Sequence, residues 1–318
     1  MDKIFITGGT GTVGKNFISK YYNQYKFYSF ARNEKSQVSL KRLFPNVEII
    51  IGGIENETLL INEMVKVRPD IVIHAAALKH VDTAEKQPSQ AVLTNIIGSY
   101  NLIKACILSN VKYTVGISTD KACSPDNIYG QTKAIMEKLF LEADSPRNKF
   151  ACCRFGNVAW SNGSVIPLWL TRKANKEPLI LTDERMTRLM FSADESSILI
   201  HRSIDEIRVQ SGFIISKMMK TVKMKKMADL ISNDVIISGM RPGEKLYENL
   251  ISKKEIPFTY VKDEYIFIRQ KENKDHETRL KNELSSKNAI EMNKKEMTDI
   301  IENISDIFSK KIIDEKNY

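Results

Sequence analysis

A doubly wound α/β fold, in which helices cover both faces of a parallel sheet, is what this 318-residue sequence predicts. Three observations carry that prediction. Short apolar runs alternate repeatedly with stretches of helical period, the rhythm of strand–helix units. The first run, Lys3 to Thr7, enters Gly8-Gly-Thr-Gly-Thr-Val-Gly14, and Phe17, Ile18, Tyr21, Tyr22 and Tyr25 then recur at helical spacing. A later run, Tyr113 to Ile117, ends in a polar cluster, and ligands of doubly wound sheets bind at the carboxyl ends of strands.

The glycine stretch holds two overlapping spacings, Gly8, Gly11, Gly14 and Gly9, Gly11, Gly14. Glycines there let the backbone turn tightly and approach a pyrophosphate held at the following helix N-terminus. A ligand-free turn could share this composition, but the strand–turn–helix context favours a Rossmann-like dinucleotide site that also includes Thr10, Thr12 and Val13. The second strand, Phe27 to Ala31, ends in Arg32 where an NAD site usually has an acid. An arginine suits a 2′-phosphate, so NADP is expected over NAD, with a solvated Arg32 as the alternative.

The third strand is Val47 to Ile51 and is closed by Gly52-Gly53-Ile54. The fourth is Ile71 to Ala77, whose small Ala75, Ala76 and Ala77 let a flat ring approach. Lys79 follows, either to meet a phosphate or as a surface lysine, and His80 reads as a structural histidine. A long helix is expected over Pro88 to Asn110, with Asn95 placed as a supporting group at the cofactor site.

The fifth strand leads into Ser118-Thr119-Asp120-Lys121, a Pro-containing loop, and Tyr129 and Lys133 on a new helix. A spacing of four puts those last two on one helical face. A hydroxyl, a carboxylate, two amines and a phenol thus leave the end of one strand together.

Beyond a sixth strand, Phe150 to Phe155, and Gly156-Asn157 the rhythm loosens. A short strand is expected at Leu179 to Thr182, then Met186-Thr187-Arg188. Gly239 to Tyr247 reads as a turn entering a helix. Its Arg241 and Glu244 flank Pro242-Gly243, positions suited to a diphosphate and a ribose or to an acidic first helical turn. Met297, Ile300, Ile301, Ile304, Ile307 and Phe308 predict a closing helix. The expected division is residues 1–155 for the cofactor, with the sheet completed by later strands, and 156–318 mainly for substrate.

Composition is that of a soluble globular protein, 42% hydrophobic and 27% charged. No unbroken apolar run reaches the roughly 18 residues of a membrane span, and the first residues lack the form of a signal peptide. The net charge of +9 lies largely in Lys/Met and Lys/Glu stretches without interleaved aromatics, so no nucleic acid partner is expected. Cys106, Cys123, Cys152 and Cys153 have no metal-ligand spacing. They read as reduced, buried residues of a cytoplasmic protein without a metal site.

Together the glycine turn and Tyr129-x-x-x-Lys133 resemble the extended short-chain dehydrogenase/reductases. More narrowly, Ala76-Ala-Leu-Lys-His80, Ser118-Thr-Asp-Lys-Ala122, Arg154-Phe-Gly-Asn157, Met186-Thr-Arg188 and Arg241-Pro-Gly-Glu-Lys245 resemble the bacterial UDP-N-acetylglucosamine 4,6-dehydratases of polysaccharide biosynthesis. The resemblance implies hydride-transfer roles for Tyr129 and Lys133 and elimination by Asp120 and Lys121. It implies that Lys79, Asn157, Thr182, Met186, Arg188, Arg241 and Glu244 hold a UDP-N-acetylhexosamine, and that the chain is a homo-oligomer. Relatives often show Gly-Asp-Val after strand three, whereas this chain has Gly52-Gly53-Ile54, so adenine recognition must use backbone or another group.

A free tyrosine has a pKa of about 10, so working near neutrality requires about three units, or about 4 kcal/mol, of preferential stabilisation. Lys133 beside Tyr129 and a positive nicotinamide ring have the required sign, and Thr119 is expected to hydrogen-bond the sugar O4 or Tyr129. For the elimination, Lys121 as base at C5 and Asp120 as acid at O6 fit the division of labour. Burial shifts both in the required direction and their mutual attraction opposes it, so the roles within the pair stay open. A 4-epimerase would need Tyr129 and Lys133 alone, and a non-catalytic cofactor-binding assembly protein would need neither pair.

Overall fold

A computed structural model describes residues 1–275 and 278–302. The first half supplies β1 (Lys3–Thr7), β2 (Lys26–Ala31), β3 (Glu48–Ile51), β4 (Ile71–His74), β5 (Tyr113–Thr119) and β6 (Lys149–Phe155). After these come β7 (Asn157–Val158), β8 (Leu179–Leu181), β9 (Thr187–Phe191), β10 (Phe213–Lys217) and β11 (Thr221–Lys223). The last are β12 (Val235–Ile237), β13 (Asn249–Ile251), β14 (Thr259–Lys262), β15 (Tyr265–Arg269) and β16 (Leu284–Ser285).

One nine-stranded sheet has the order β14-β15-β10-β6-β5-β4-β1-β2-β3. Pairing is parallel from β3 across to β10, and β15 and β14 add an antiparallel hairpin at the edge. Chain order reverses between β1 and β4, which opens a crevice at their carboxyl ends. Inner strands are buried on both faces: Ile4, Phe5, Ile6, Val72, Ile73, Cys152 and Cys153 are all fully buried. This is why they read as unbroken apolar runs. All four cysteines are free.

The Pro88–Leu108 helix contains a π-helical segment, Val92–Ile97. By length and composition it could cross a membrane, but 56% of its apolar window is buried. It packs against the helices Glu57–Val67 and Ile128–Ala143. Ser, Thr, Asn and Gly interrupt it, so the sequence shows no unbroken apolar run of that length. The fourth strand stops at His74, short of the expected Ala77. Asn95, from the π segment, instead bonds both the N–H (2.8 Å) and the C=O (3.0 Å) of Leu78.

A second core gathers Trp160, Trp169, Leu179, Leu181, Met190 and Met227 around β8, β9 and the helices Val165–Ala174 and Met224–Ile231. The closing helix is described over Lys294–Glu302 and buries Met297 there, while Trp160 Nε1 donates to Ile300 O at 2.8 Å. Ile304, Ile307 and Phe308 lie outside the described residues.

One expectation is corrected. Gly239 to Tyr247 leads into a strand, β13, and no helix follows the turn. Leu250 and Ile251 are fully buried, and β13 pairs antiparallel with β16. Glu248 bonds Ser286 on both sides, its N–H donating to Ser286 Oγ and its carbonyl accepting from Ser286 N–H. The Glu244 carboxylate turns back to accept from Arg241 N–H at 3.1 Å, closing the turn on itself.

Candidate active site

The glycine turn is built for close approach. Gly8 has φ +71°, and a Cβ there would stand 2.7 Å from Ala76 N. A Cβ on Gly14 would stand 2.7 Å from Gly9 Cα. The helix Thr12–Tyr21 begins at Gly11 with no capping side chain and no acid in its first turn, so its first N–H groups are left for an anion.

A cavity of about 680 Å³ runs from this turn to the end of β5. Gly8, Thr10, Gly11, Thr12, Val13 and Gly14 form one end, with Arg32, Ile54, Ala75, Ala76 and Ala77 on the walls. Thr119, Lys121, Tyr129, Lys133 and Asn157 form the other end, with Lys79 on the rim. A nicotinamide dinucleotide fits these residues: an uncapped helix N-terminus for its pyrophosphate, small alanines for a flat ring, and a phenol at the far end.

Arg32 is exposed and lies 3.9 Å from Glu55, which comes from the loop after β3. The cofactor end therefore holds an acid after all, although β2 itself ends without one. Asn95 stands outside the cavity. Beyond its bonds to Leu78, its amide donates to Thr132 Oγ1 at 2.9 Å, so it ties the loop after β4 to the Tyr129 helix. Lys79 Nζ donates to Asn162 O at 2.8 Å, and the His80 ring packs where a Cβ on Gly163 would sit.

The chemistry end differs from expectation in its electrostatics. Lys133 is buried and its ammonium points to Met136 Sδ at 2.8 Å. Burial brings its pKa down to about 8 against the opposing pull of Cys152 and Glu137. The cation acting on Tyr129 is Lys121, and the Thr119 hydroxyl bonds the phenol. Burial still outweighs both and, helped by Asp120, pushes Tyr129 up to about 12. The phenol by itself is held protonated, and Lys121 rather than Lys133 is the lysine that acts on it.

Lys121 Nζ reaches three acceptors: Asp120 Oδ1 at 3.0 Å, Asn157 Oδ1 at 3.4 Å and Glu248 Oε1 at 3.5 Å. Burial pulls its pKa down, but Asp120 and Glu248 outweigh burial and raise it. For Lys121 the ion pair therefore wins the contest that the sequence left open. Asp120 is fully buried and does not line the cavity, and its Oδ1 accepts from Thr119 Oγ1 at 3.0 Å. Thr119 is thus its contact with the cavity.

The remaining residues are less gathered. Arg188 is buried, donates to Thr187 O (2.8 Å) and Leu246 O (3.3 Å), and acts electrostatically on Lys121 and Glu248. Thr182 and Met186 are buried against each other, Oγ1 to Sδ at 3.3 Å. Arg241 is exposed, and neither it nor Glu244 lines the cavity. Their loop is fastened beside the Tyr129 helix, with Asn127 Nδ2 donating to Gly243 O (2.9 Å) and Lys245 Nζ donating to Ser124 O (2.6 Å). Glu248 had no motif of its own in the sequence. Its one signal is a charge inside Leu-Tyr-Glu-Asn-Leu-Ile, a run that otherwise reads as a strand. Among the described residues no His/Cys/Asp/Glu group could hold a metal.

Fold and site together define a dinucleotide-binding enzyme of the short-chain dehydrogenase/reductase kind, with a paired carboxyl and amine at the end of its fifth strand. The chain belongs to the polysaccharide biosynthesis protein family, whose model matches residues 4–270. It is 36% identical over 278 residues to a UDP-N-acetylglucosamine 4,6-dehydratase (inverting) of Campylobacter jejuni, covering 83% of this chain and 82% of that one. It is 35% identical over 269 residues to a UDP-glucose 4-epimerase of Rickettsia massiliae, covering 80% and 78%. Among solved structures, Pen from Bacillus thuringiensis superposes with a TM-score of 0.87 at 30% identity, covering 95% of this chain and 97% of that one.

Proposed function

We propose that this protein is an NADP-dependent UDP-N-acetylglucosamine 4,6-dehydratase that inverts C5 and makes a UDP-4-keto-6-deoxy sugar for surface glycan synthesis. The observation that carries the reading is Lys121, backed by Asp120, at the same end of the cavity as Tyr129 and Lys133. A hydride-transfer site needs the second pair; loss of water also needs the first.

A bound nicotinamide supplies the acceptor and donor of hydride. Its positive charge, added to that of Lys121, is the further stabilisation Tyr129 needs in order to take the sugar O4 proton. Lys121 faces the cavity and takes the C5 proton once C4 is a ketone. Asp120 delivers a proton to O6 through the Thr119 hydroxyl, and O6 leaves as water. Lys79, Asn157, Arg188, Arg241 and Glu244 are assigned to the UDP-sugar. Arg32 supports NADP, and the inverting relative supports inversion at C5. Exposed Val92, Leu93, Ile97 and Tyr100 on the Pro88–Leu108 helix, with Ile135 on the next, support a homo-oligomer.

Incubation with UDP-N-acetylglucosamine in heavy water should give a 4-keto-6-deoxy product deuterated at C5, with proton couplings that report the inverted centre. A C6 hydroxymethyl group that persists unchanged would end this reading. Replacing Arg32 with Ala should weaken NADP binding and leave NAD binding in place. The second reading is a 4-epimerase, favoured by the Rickettsia relatives and by a Lys121 held as an ammonium. Its product would keep the C6 hydroxyl.

A further inference from the structure

We infer that Glu248 is a positioning residue for the elimination, the internal acceptor of the Lys121 proton that turns that ammonium into a base. The inference rests on the dehydratase reading.

Two buried carboxylates flank the Lys121 amine, which lines the cavity. Asp120 lies 3.0 Å and Glu248 3.5 Å from Lys121 Nζ, and Asn157 takes the third direction. As an ammonium, hydrogen-bonded to Asp120 and Asn157 and ion-paired to Glu248, the nitrogen has no lone pair to offer a C–H bond until one proton leaves. The two carboxylates are not equivalent destinations. Asp120 touches Thr119, and through it the cavity, so it serves the leaving oxygen. Glu248 is 2% exposed and does not line the cavity. Its Oε2, like Asp120 Oδ2, is buried with no hydrogen-bond partner, so the Thr119 contact of Asp120 is what separates the two, and Glu248, without such a contact, keeps a free seat for a proton.

The charged groups facing it are Lys121 and Asp120 from the turn after β5, Arg188 from β9 and Lys245 from its own loop. Burial, with Asp120 adding to it, raises the Glu248 pKa against Lys121, Arg188 and Lys245. Its proton affinity therefore moves toward that of its partner.

The step balances. A Lys121 N–H bond breaks and an O–H bond forms on Glu248. The freed nitrogen pair takes the C5 proton, and the C5–H electrons form the C5–C6 double bond as C6–O breaks. O6 departs as water with a proton that Asp120 has received from Tyr129 through Thr119, the sugar O4 proton replacing it on the phenol. C5 is then protonated from solvent on its opposite face, which inverts it; Lys121 keeps the proton it took, Glu248 releases its proton to solvent, and Asp120 and Tyr129 are left as they began.

An internal transfer of this kind does not depend on solution pH, whereas loss of the Lys121 proton to solvent does. The test is the pH dependence of 4-keto-6-deoxy sugar formation and of C5 deuterium uptake in Glu248→Gln, with Glu248→Asp beside it. The parent should be flat across neutrality. Glu248→Gln should be slower by about 100-fold at pH 7 and should recover about tenfold per pH unit above it, with its melting temperature and UDP binding near those of the parent. Glu248→Asp, which still titrates, should be slowed yet keep the flat profile, and it carries the test if the glutamine variant does not fold. An unchanged rate in Glu248→Gln, an equal loss at every pH, or a sloping profile in Glu248→Asp overturns the inference alone. A parent that forms no 6-deoxy product overturns the dehydratase reading itself.

Discussion

Arg154 and Glu137 form a two-point ion pair beneath the site, with Nε donating to Oε1 at 2.9 Å and Nη2 donating to Oε2 at 2.6 Å. Both are at least 97% buried. Ser118 also donates to Glu137 at 2.6 Å, and Arg154 reaches Glu255 at 2.9 Å and Leu250 O at 3.0 Å. The end of β5, the helix that carries Lys133, and β13 next to Glu248 are thereby fixed to one another. Removing one partner of such a pair leaves a buried charge uncompensated, a loss of about 3–5 kcal/mol. Arg154→Met should lose that much in urea unfolding, and the double variant Arg154→Met/Glu137→Leu should recover part of it, since Glu255 still lacks its cation. A single variant within about 1 kcal/mol of the parent would show that the pair does not hold the site together.

Gly8 is the residue of the cofactor turn least able to accept a side chain. With φ +71° and Ala76 N 2.7 Å from a modest Cβ, alanine meets both backbone strain and a backbone atom that cannot swing aside. Gly8→Ala should destabilise the protein by roughly 1–3 kcal/mol and should abolish nicotinamide binding, read from the fluorescence of the reduced cofactor. Full binding in this variant would place the pyrophosphate elsewhere.

The parallel sheet and the cofactor turn were legible because each rests on local pattern: unbroken apolar runs, then glycines, then helical period. Tyr129 and Lys133 were legible for the same reason, being one helical turn apart. What stayed hidden depends on distant pairing. Glu248 lies 127 positions beyond Lys121 and meets it only because β13 is drawn against the main core. Glu55 reaches Arg32 from a different strand end, so the last residue of β2 alone misdescribed that corner. The helix expected after Arg241 failed for a similar reason, since Leu250 and Ile251 gain more by entering the core as a strand than by forming a short surface helix.

Elimination and hydride transfer should separate on substitution of Asp120. Asp120→Asn keeps the shape and the Thr119 contact but cannot carry a proton. Formation of the 6-deoxy product should fall by about 10²–10⁴, while the first hydride transfer from C4 persists as a single-turnover rise in reduced cofactor. A variant that still forms the 6-deoxy product at the full rate would remove Asp120 from the elimination, whereas full turnover to a product that keeps its C6 hydroxyl would match the epimerase, for which this residue has no chemical task.

Lys133 gives a stability prediction with a definite sign. Its pKa is about 8 in the folded protein against an ordinary 10.5, because burial disfavours the ammonium. Between those values the unfolded chain binds the proton and the folded one does not, so this group adds stability as pH rises from 8 to 10.5. Below pH 8 the charged lysine costs the cofactor-free protein its full penalty, about 3 kcal/mol for a displacement of this size. Lys133→Met removes that penalty while leaving an apolar chain beside Met136. The variant should therefore be more stable than the parent at pH 7, and the gap should narrow steadily toward pH 10. The cysteines and Tyr129 titrate over the same range in both proteins and cancel from the difference. Urea unfolding at pH 7, 8, 9 and 10 reads it directly. A gap that stays constant with pH would mean that Lys133 is not held near neutrality by its burial, and the variant should in any case lose hydride transfer, since stability is gained by giving up the amine the chemistry uses.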